Sequence, residues 1–151
     1  MELSLTFADN NTAHEDIVLQ FAGQQWICDS YYLALDDELL PEVEDGTKVR
    51  MVLRRLLEQW QEALRALNVD EVAFLPYDFS DQYTGWLRCA RTQLGFVVVR
   101  GWSSVEGWSF PPSQIGTLLR GLEGFRPDGP SVEVTAQELL EAVNASLSRA
   151  A

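Results

Sequence analysis

The chain opens with a two-residue alternation of apolar and polar side chains. Residues 2–7 place their apolar members at every second position, which is the period of a half-buried strand. Two further segments, residues 17–21 and 26–35, are rich in β-branched and aromatic residues and are separated by Gly23. The pattern therefore predicts three strands before any helix.

A three- and four-residue spacing replaces this alternation and predicts a long helix from about Thr47 to Leu67. Asp45 or Thr47 can cap its start, and Asn68 can close its end in the left-handed conformation. The apolar positions form one stripe, as in an amphipathic helix. They are Val49, Val52, Leu53, Leu56, Leu57, Trp60, Leu64 and Leu67.

The strand pattern returns after this helix. Residues 71–77 read as a strand that ends near Pro76, and residues 86–91 and 96–102 read as a hairpin. Residues 103–114 contain two adjacent prolines and are expected to form a loop, because proline disrupts both helices and central strands.

The last part of the chain is punctuated by glycine and proline. Residues 115–125 predict a short helix weakened by three glycines, and residues 126–130 predict a turn. Residues 132–134 predict a last short strand. The sequence from Thr135 to Glu138 matches a capping box, which indicates the start of a C-terminal helix.

The order of elements predicts an α+β fold. Three strands precede the first helix, so a doubly wound parallel sheet is not expected. We expect a single domain over residues 1–151, with a mostly antiparallel sheet of about five to seven strands. The long amphipathic helix and the C-terminal helix should pack on this sheet.

The charge of the chain is concentrated at one end. Net charge is −12, and residues 1–47 hold eleven acids and no Lys or Arg. Residues 36–45 alone hold six acids. Nucleic acid and anionic membranes are therefore poor partners, and a basic protein is a suitable one. The simpler alternative is that the acidity serves solubility alone.

The sequence also carries few signs of a membrane or an export route. No apolar run reaches the ~20 residues that a membrane span needs. The first residues lack the pattern of a signal peptide, so a cytoplasmic location is expected. The sequence does not specify an oligomeric state.

Known catalytic and cofactor motifs are missing from the sequence. There is no phosphate-binding glycine loop, and His14 is the single histidine, with no nucleophile elbow elsewhere. Cys28 and Cys89 are expected to be buried free thiols, and no pair of residues has metal-ligand spacing. We therefore expect no cofactor, no metal and no catalytic residue set.

The first functional hypothesis is a non-catalytic protein-binding module, such as an inhibitor or immunity-type protein that blocks a basic enzyme. Acidic charge would speed the encounter, and aromatic side chains would hold the complex. In the loop over residues 103–114, exposed aromatic rings would anchor a partner, and buried ones would cap the core. The residues assigned to this surface are Asp36, Asp37, Glu38, Glu42, Glu44, Asp45, Trp108 and Phe110.

The alternative hypothesis is a small carbohydrate-binding or carbohydrate-cleaving protein. Carboxylates among aromatic rings suit sugars, because the rings stack on the sugar and an apolar wall can raise the pKa of one acid. The residues assigned to this site are Asp78, Asp81, Tyr83, Trp102 and Glu106. A structural or assembly domain is a third possibility.

Overall fold

The structure of the protein is a computed structural model that describes residues 2–38 and 45–150. Within these residues it has seven strands and four helices. The strands are β1 (Leu3–Phe7), β2 (Ile17–Phe21), β3 (Gln24–Cys28), β4 (Val72–Phe79), β5 (Thr84–Arg91), β6 (Gly95–Ser103) and β7 (Arg126–Thr135). The helices are α1 (Tyr31–Ala34), α2 (Gly46–Ala66), α3 (Leu118–Gly121) and α4 (Ala136–Arg149).

All strand pairs in the described residues are antiparallel, which confirms the predicted α+β class. The strands are divided between two sheets, with orders β1-β2-β3 and β4-β5-β6-β7. Ala22 and Gly23 connect β2 to β3 with positive φ angles of 55° and 74°. Two such residues make the tight hairpin turn whose twist matches the flanking strands.

The long helix α2 joins the two sheets into one core. It contacts β1 of the first sheet, β4 of the second sheet and α4. Its apolar stripe is buried as predicted, and Trp60 donates its indole N–H to the carbonyl oxygen of Pro76 at 3.0 Å. The helix begins after Asp45, whose side chain accepts a hydrogen bond from Lys48 N at 3.1 Å. The fold therefore depends on the burial of one face of α2.

The C-terminal helix α4 covers the outer edge of the three-stranded sheet. Its capping box is formed as predicted, by Thr135 and Glu138. On the buried side of the helix, Ser146 Oγ accepts a hydrogen bond from Leu5 N in β1 at 3.1 Å. A backbone donor on an edge strand is thereby paired, which protects the edge against pairing with another chain.

The predicted strand over residues 26–35 is wrong beyond Cys28. Residues 31–34 form the short helix α1. The buried carboxylate of Asp16 accepts hydrogen bonds from Ser30 N at 2.8 Å and Ser30 Oγ at 2.6 Å. This long-range pair turns the chain out of β3, and strand propensity alone does not reveal it.

Two proline assignments are also corrected by the structure. Residues 126–130 belong to β7 and do not form a turn, and β4 continues through Pro76 to Phe79. β4 and β7 are the two edge strands of their sheet, and sheets tolerate proline at edge strands and bulges. Register shifts occur between Pro76 and Asp78, and opposite β7 between Val99 and Gly101.

The predicted left-handed closure of α2 at Asn68 is wrong. The helix ends at Ala66, its C-cap Leu67 has an extended conformation, and the left-handed residue is Asp70 with a φ of 72°. The backbone N–H of Asn68 donates instead to the Glu71 carboxylate at 2.7 Å.

Replacement of Ser146 by Ala should lower the free energy of unfolding by about 1–3 kcal/mol, because the buried N–H of Leu5 loses its acceptor. Ser148→Ala, at an exposed position of the same helix, is the matched control and should be nearly neutral. Urea unfolding of both variants measures the effect. Equal midpoints for the two variants would show that Ser146 does not stabilise the β1 edge.

Candidate functional site

The structure separates the acidic residues 36–38 into one buried and two exposed carboxylates. Asp36 is only 4% exposed, and its two oxygens accept hydrogen bonds from Ser113 N at 2.8 Å and Glu38 N at 2.9 Å. Asp37 and Glu38 are exposed. Asp36 is therefore a structural residue that ties this segment to a loop 77 positions further along the chain.

The remaining acids of the predicted surface are Asp45, Glu42 and Glu44. Asp45 is exposed and caps α2. Glu42 and Glu44 lie outside the described residues, so the prediction for them stays a prediction.

The loop over residues 104–117 is held by polar side chains of distant elements. The buried side chain of Gln59 in α2 donates to the Pro112 carbonyl oxygen at 2.9 Å and accepts from Ile115 N at 2.8 Å. Asp36 accepts from Ser113 N between these two contacts. Buried backbone groups of an irregular segment need such partners, and these three hydrogen bonds define the path of the loop.

The two aromatic residues of this loop have different environments. The Phe110 ring stacks on Trp86 with centroids 5.8 Å apart and packs against Phe79 at 5.5 Å. The Trp108 side chain is 61% exposed. Phe110 therefore caps the core, and Trp108 is available to a partner.

Trp108 and the exposed acids lie on one surface. A depression of about 330 Å³ is lined by Tyr32, Asp37, Glu38 and Trp108, together with backbone and apolar groups of the loop. Tyr32 also lines a second depression of about 370 Å³, which contains Tyr31 and Asp81. We call the surface formed by Tyr31, Tyr32, Asp37, Glu38, Asp81 and Trp108 the acid–aromatic face.

The tyrosines of this face are held in place by neighbours. Tyr32 donates its hydroxyl to the Asp81 carboxylate, and this hydrogen bond raises the pKa of Tyr32 to about 12. Tyr31 contacts Tyr32 edge to face at 5.2 Å and stacks on His14 at 6.1 Å. His14 in turn lies 3.3 Å from the Asp29 carboxylate. Among the described residues that line the two depressions, none is Lys or Arg.

Gly107 sets the distance between the Trp108 loop and the β4–β5 turn. Its backbone N–H donates to the Ser80 carbonyl oxygen at 2.7 Å. A Cβ atom at this position would lie 2.5 Å from Ser80 N, which is closer than real Cβ contacts come. Only glycine permits this approach of the two backbones.

The residues of the predicted carbohydrate site are partly brought together. Asp78, Tyr83 and Trp102 line a third depression of about 490 Å³. Asp81 lies on the acid–aromatic face, and Glu106 is exposed and outside the third depression. The five residues therefore do not form one site.

Sequence reasoning missed most of the residues that line the third depression, including one on each of three strands. These three are Trp26 on β3, Arg100 on β6 and Asp128 on β7. A basic residue directly after the apolar run of residues 96–99 was the signal that could have indicated Arg100. The other two come from strands that only tertiary structure brings near β6. We call the depression lined by Trp26, Asp78, Tyr83, Arg100, Trp102 and Asp128 the indole depression.

Burial shifts the pKa values of two groups at the indole depression, Asp78 and Cys28. Burial raises the pKa of Asp78, although Tyr83 donates a hydrogen bond to its carboxylate at 3.3 Å. Burial, with Asp78 next to it, also raises the pKa of the Cys28 thiol. A thiol that resists ionisation is a poor nucleophile. Cys28 and Cys89 are buried free thiols, as predicted.

No protein family model matches the chain, and neither curated proteins nor solved structures give a match. In the two described ranges, no three His, Cys, Asp or Glu side chains are gathered as they would be to hold a metal ion. No helix in those ranges has both the length and the apolar character to cross a membrane.

Gly107→Ala should lower the free energy of unfolding by about 1–3 kcal/mol and shift the indole N–H signal of Trp108, because the loop must move away from Ser80. Gly121→Ala is the control, since a Cβ there meets nothing within 4 Å. Urea unfolding and the NMR spectrum of the indole N–H groups measure the two effects. An unmoved Trp108 signal in Gly107→Ala would contradict this account of the loop.

Asp78→Asn should change the pH dependence of stability. The folded protein holds the Asp78 proton more tightly than the unfolded chain, so this group's contribution to stability falls as pH rises above the ordinary pKa of 3.8. An asparagine side chain does not ionise, so the variant does not lose stability in this way. Its unfolding free energy relative to wild type should therefore increase from pH 3.8 up to the raised pKa and then level off.

Urea unfolding across this pH range measures the difference. Glu106→Gln, which removes an exposed carboxylate outside the depression, is the matched control. A pH-independent difference between Asp78→Asn and wild type would contradict the raised pKa.

Proposed function

We propose that the protein is a non-catalytic binding module whose acid–aromatic face recognises a basic partner protein. The form we favour is an inhibitor or immunity-type protein that blocks a basic enzyme. One observation carries the proposal: the exposed Trp108 ring and the exposed carboxylates of Asp37 and Glu38 line the same depression.

The chemistry of this face suits a basic partner. Tryptophan and tyrosine are frequent among the residues that dominate binding energy, since each buries a large rigid surface. Trp108 is 61% exposed and Tyr31 is 45% exposed. Asp37, Glu38 and Asp81 surround these rings, so an incoming Lys or Arg would find both a carboxylate and an aromatic face.

The charge of the whole chain supports the same partner. A net charge of −12 attracts a basic protein over a distance of about one Debye length, roughly 8–10 Å at physiological salt. Attraction of this kind raises the rate of encounter, and the aromatic contacts slow dissociation. We therefore expect the acids to set the association rate and Trp108 to set the dissociation rate.

The rigidity of the face also supports binding. The loop that carries Trp108 is held by Asp36, Gln59 and the Gly107 contact with Ser80. A surface that is already ordered loses less conformational entropy when a partner binds. Asp36 contributes through this support and not through exposed charge, so its replacement would test folding as well as binding.

The test begins with capture of partners from lysate of the source cells by the tagged protein. A double variant, Asp37→Lys with Glu38→Lys, is compared with wild type. A second double variant, Glu133→Lys with Glu141→Lys, makes the same change at exposed positions of β7 and α4. Each Asp→Lys or Glu→Lys change replaces a charge of −1 by +1. Both double variants therefore have a net charge of −8 instead of −12.

The proposal predicts a basic protein that wild type and the second variant retain and the first variant loses. Titration calorimetry with that purified protein should give roughly 30-fold weaker binding for Trp108→Ala, which is about 2 kcal/mol. Equal loss in the two double variants would mean that net charge, and not this face, binds the partner. Full affinity in Trp108→Ala would overturn the role of the aromatic anchor.

Salt separates the two contributions. At about 0.5 M salt, exposed charges are screened beyond a few ångström. Association should slow, and dissociation should change little because Trp108 is an apolar contact. Rates measured by surface plasmon resonance at low and high salt test this division.

A further inference from the structure

The indole depression is a second candidate binding site, distinct from the acid–aromatic face. It lies where the edge strand β3 of the first sheet meets the second sheet. Trp26 comes from β3, Arg100 and Trp102 from β6, and Asp128 from β7. Its volume of about 490 Å³ falls within the range of small-molecule sites, about 300–1,000 Å³.

Arg100 is a fixed polar wall of this depression. The residue is 7% exposed, and its guanidinium carbon lies 3.3 Å from the centroid of the Trp26 ring. One terminal nitrogen donates to the Tyr77 hydroxyl at 3.1 Å. The other donates to the Asp128 carbonyl oxygen at 2.9 Å and carboxylate at 2.8 Å.

One donor of this wall remains unsatisfied by protein groups. Arg100 Nε is buried and has no hydrogen-bond partner among the described residues. A buried donor without a partner destabilises the protein, so an oxygen atom supplied to it would be stabilising. Native proteins keep few such groups, so each one calls for an explanation, and a ligand oxygen is one.

The charges around the depression select against ions. The Arg100 guanidinium is paired with the Asp128 carboxylate, so an anion would meet Asp128 and Asp78, and a cation would meet Arg100. A neutral molecule with several hydroxyl groups can accept from the arginine and Gln82 and donate to the carboxylates. Polyhydroxylated neutral molecules therefore fit better than phosphates or amines.

Within this class of neutral ligands, the aromatic side chains favour a molecule with a flat ring. Trp102 is 38% exposed, and Arg126 lies 5.3 Å from the centroid of its ring. Tyr83 is also exposed and lines the same depression, and its hydroxyl donates to Asp78 at 3.3 Å. The flat C–H face of a pyranose matches such rings, while its hydroxyl groups reach the polar wall.

We propose that the indole depression binds one pyranose ring of a neutral carbohydrate. Trp102 and Tyr83 contact the apolar face of the sugar, and Asp78, Arg100 and Asp128 bind its hydroxyl groups. The proposal concerns binding and includes no cleavage. It is independent of the partner-binding function of the acid–aromatic face.

The five tryptophans of the chain make a direct test possible. NMR spectra of the indole N–H groups are recorded while the methyl pyranosides of glucose, galactose, mannose and N-acetylglucosamine are added in turn. Saturable shifts at Trp26 and Trp102 with one of these sugars are expected. Trp60 and Trp86 should not move, because their N–H groups bond to Pro76 and Thr84.

Two variants and a control assign the binding to the depression. Trp102→Ala and Asp78→Asn should each weaken the binding of the active sugar roughly tenfold or more, as expected when one aromatic contact or one charged acceptor is lost. Trp108→Ala, on the acid–aromatic face, should bind the sugar as wild type does. The unmoved Trp60 and Trp86 signals show in each case that the variant is folded.

Three results would overturn the proposal. They are the absence of saturable shifts with all four sugars, a shift confined to Trp108, and tighter binding of inorganic phosphate or methylguanidine than of any sugar. The last of these would identify a charged ligand in the same depression. None of them would bear on the capture experiment, whose variants change Asp37, Glu38 and Trp108, because these residues do not line the indole depression.

Discussion

The arrangement of both candidate sites depends on how the protein satisfies the backbone of one irregular loop. Residues 104–117 form no sheet, and their buried peptide groups need partners from elsewhere. Gln59 in α2 supplies a donor to Pro112 and an acceptor to Ile115, and Asp36 supplies an acceptor to Ser113. Phe110 then fills the space against Trp86, which leaves Trp108 to point outward.

The β4–β5 turn divides the surface into the two candidate sites. Ser80 and Asp81 line the depression of the acid–aromatic face, and Gln82 and Tyr83 line the indole depression. Both sites therefore share one short connection whose position is set by the Gly107 contact.

The two sites differ in the balance of their charges. The acid–aromatic face carries the exposed acids Asp37 and Glu38 next to the exposed Trp108 ring, which is a surface for a large basic partner. In the indole depression the charge of Arg100 is balanced by Asp128 within hydrogen-bond distance. The same residue types therefore favour a protein in one place and a neutral small molecule in the other.

Local patterns predicted most of the elements. The alternation in residues 2–7, the stripe of α2, the β5–β6 hairpin and the capping box of α4 are all found in the structure. Two of the errors share one cause. Residues 31–34 turn into a helix because Asp16 binds Ser30, and the prolines of β4 and β7 are tolerated because both strands are sheet edges. Neither fact is local to the segment concerned.

The sequence by itself determined the fold class, the extent of α2 and the strong negative charge, because periodicity and charge depend on residue types and their spacing. Tertiary structure decided the use of each side chain. Asp36 and Asp37 are neighbours, yet one binds a loop 77 residues away and the other faces solvent. Trp108 and Phe110 differ in the same way. Long-range packing decides which of two neighbouring side chains is buried and which is exposed. That packing cannot be read from local sequence.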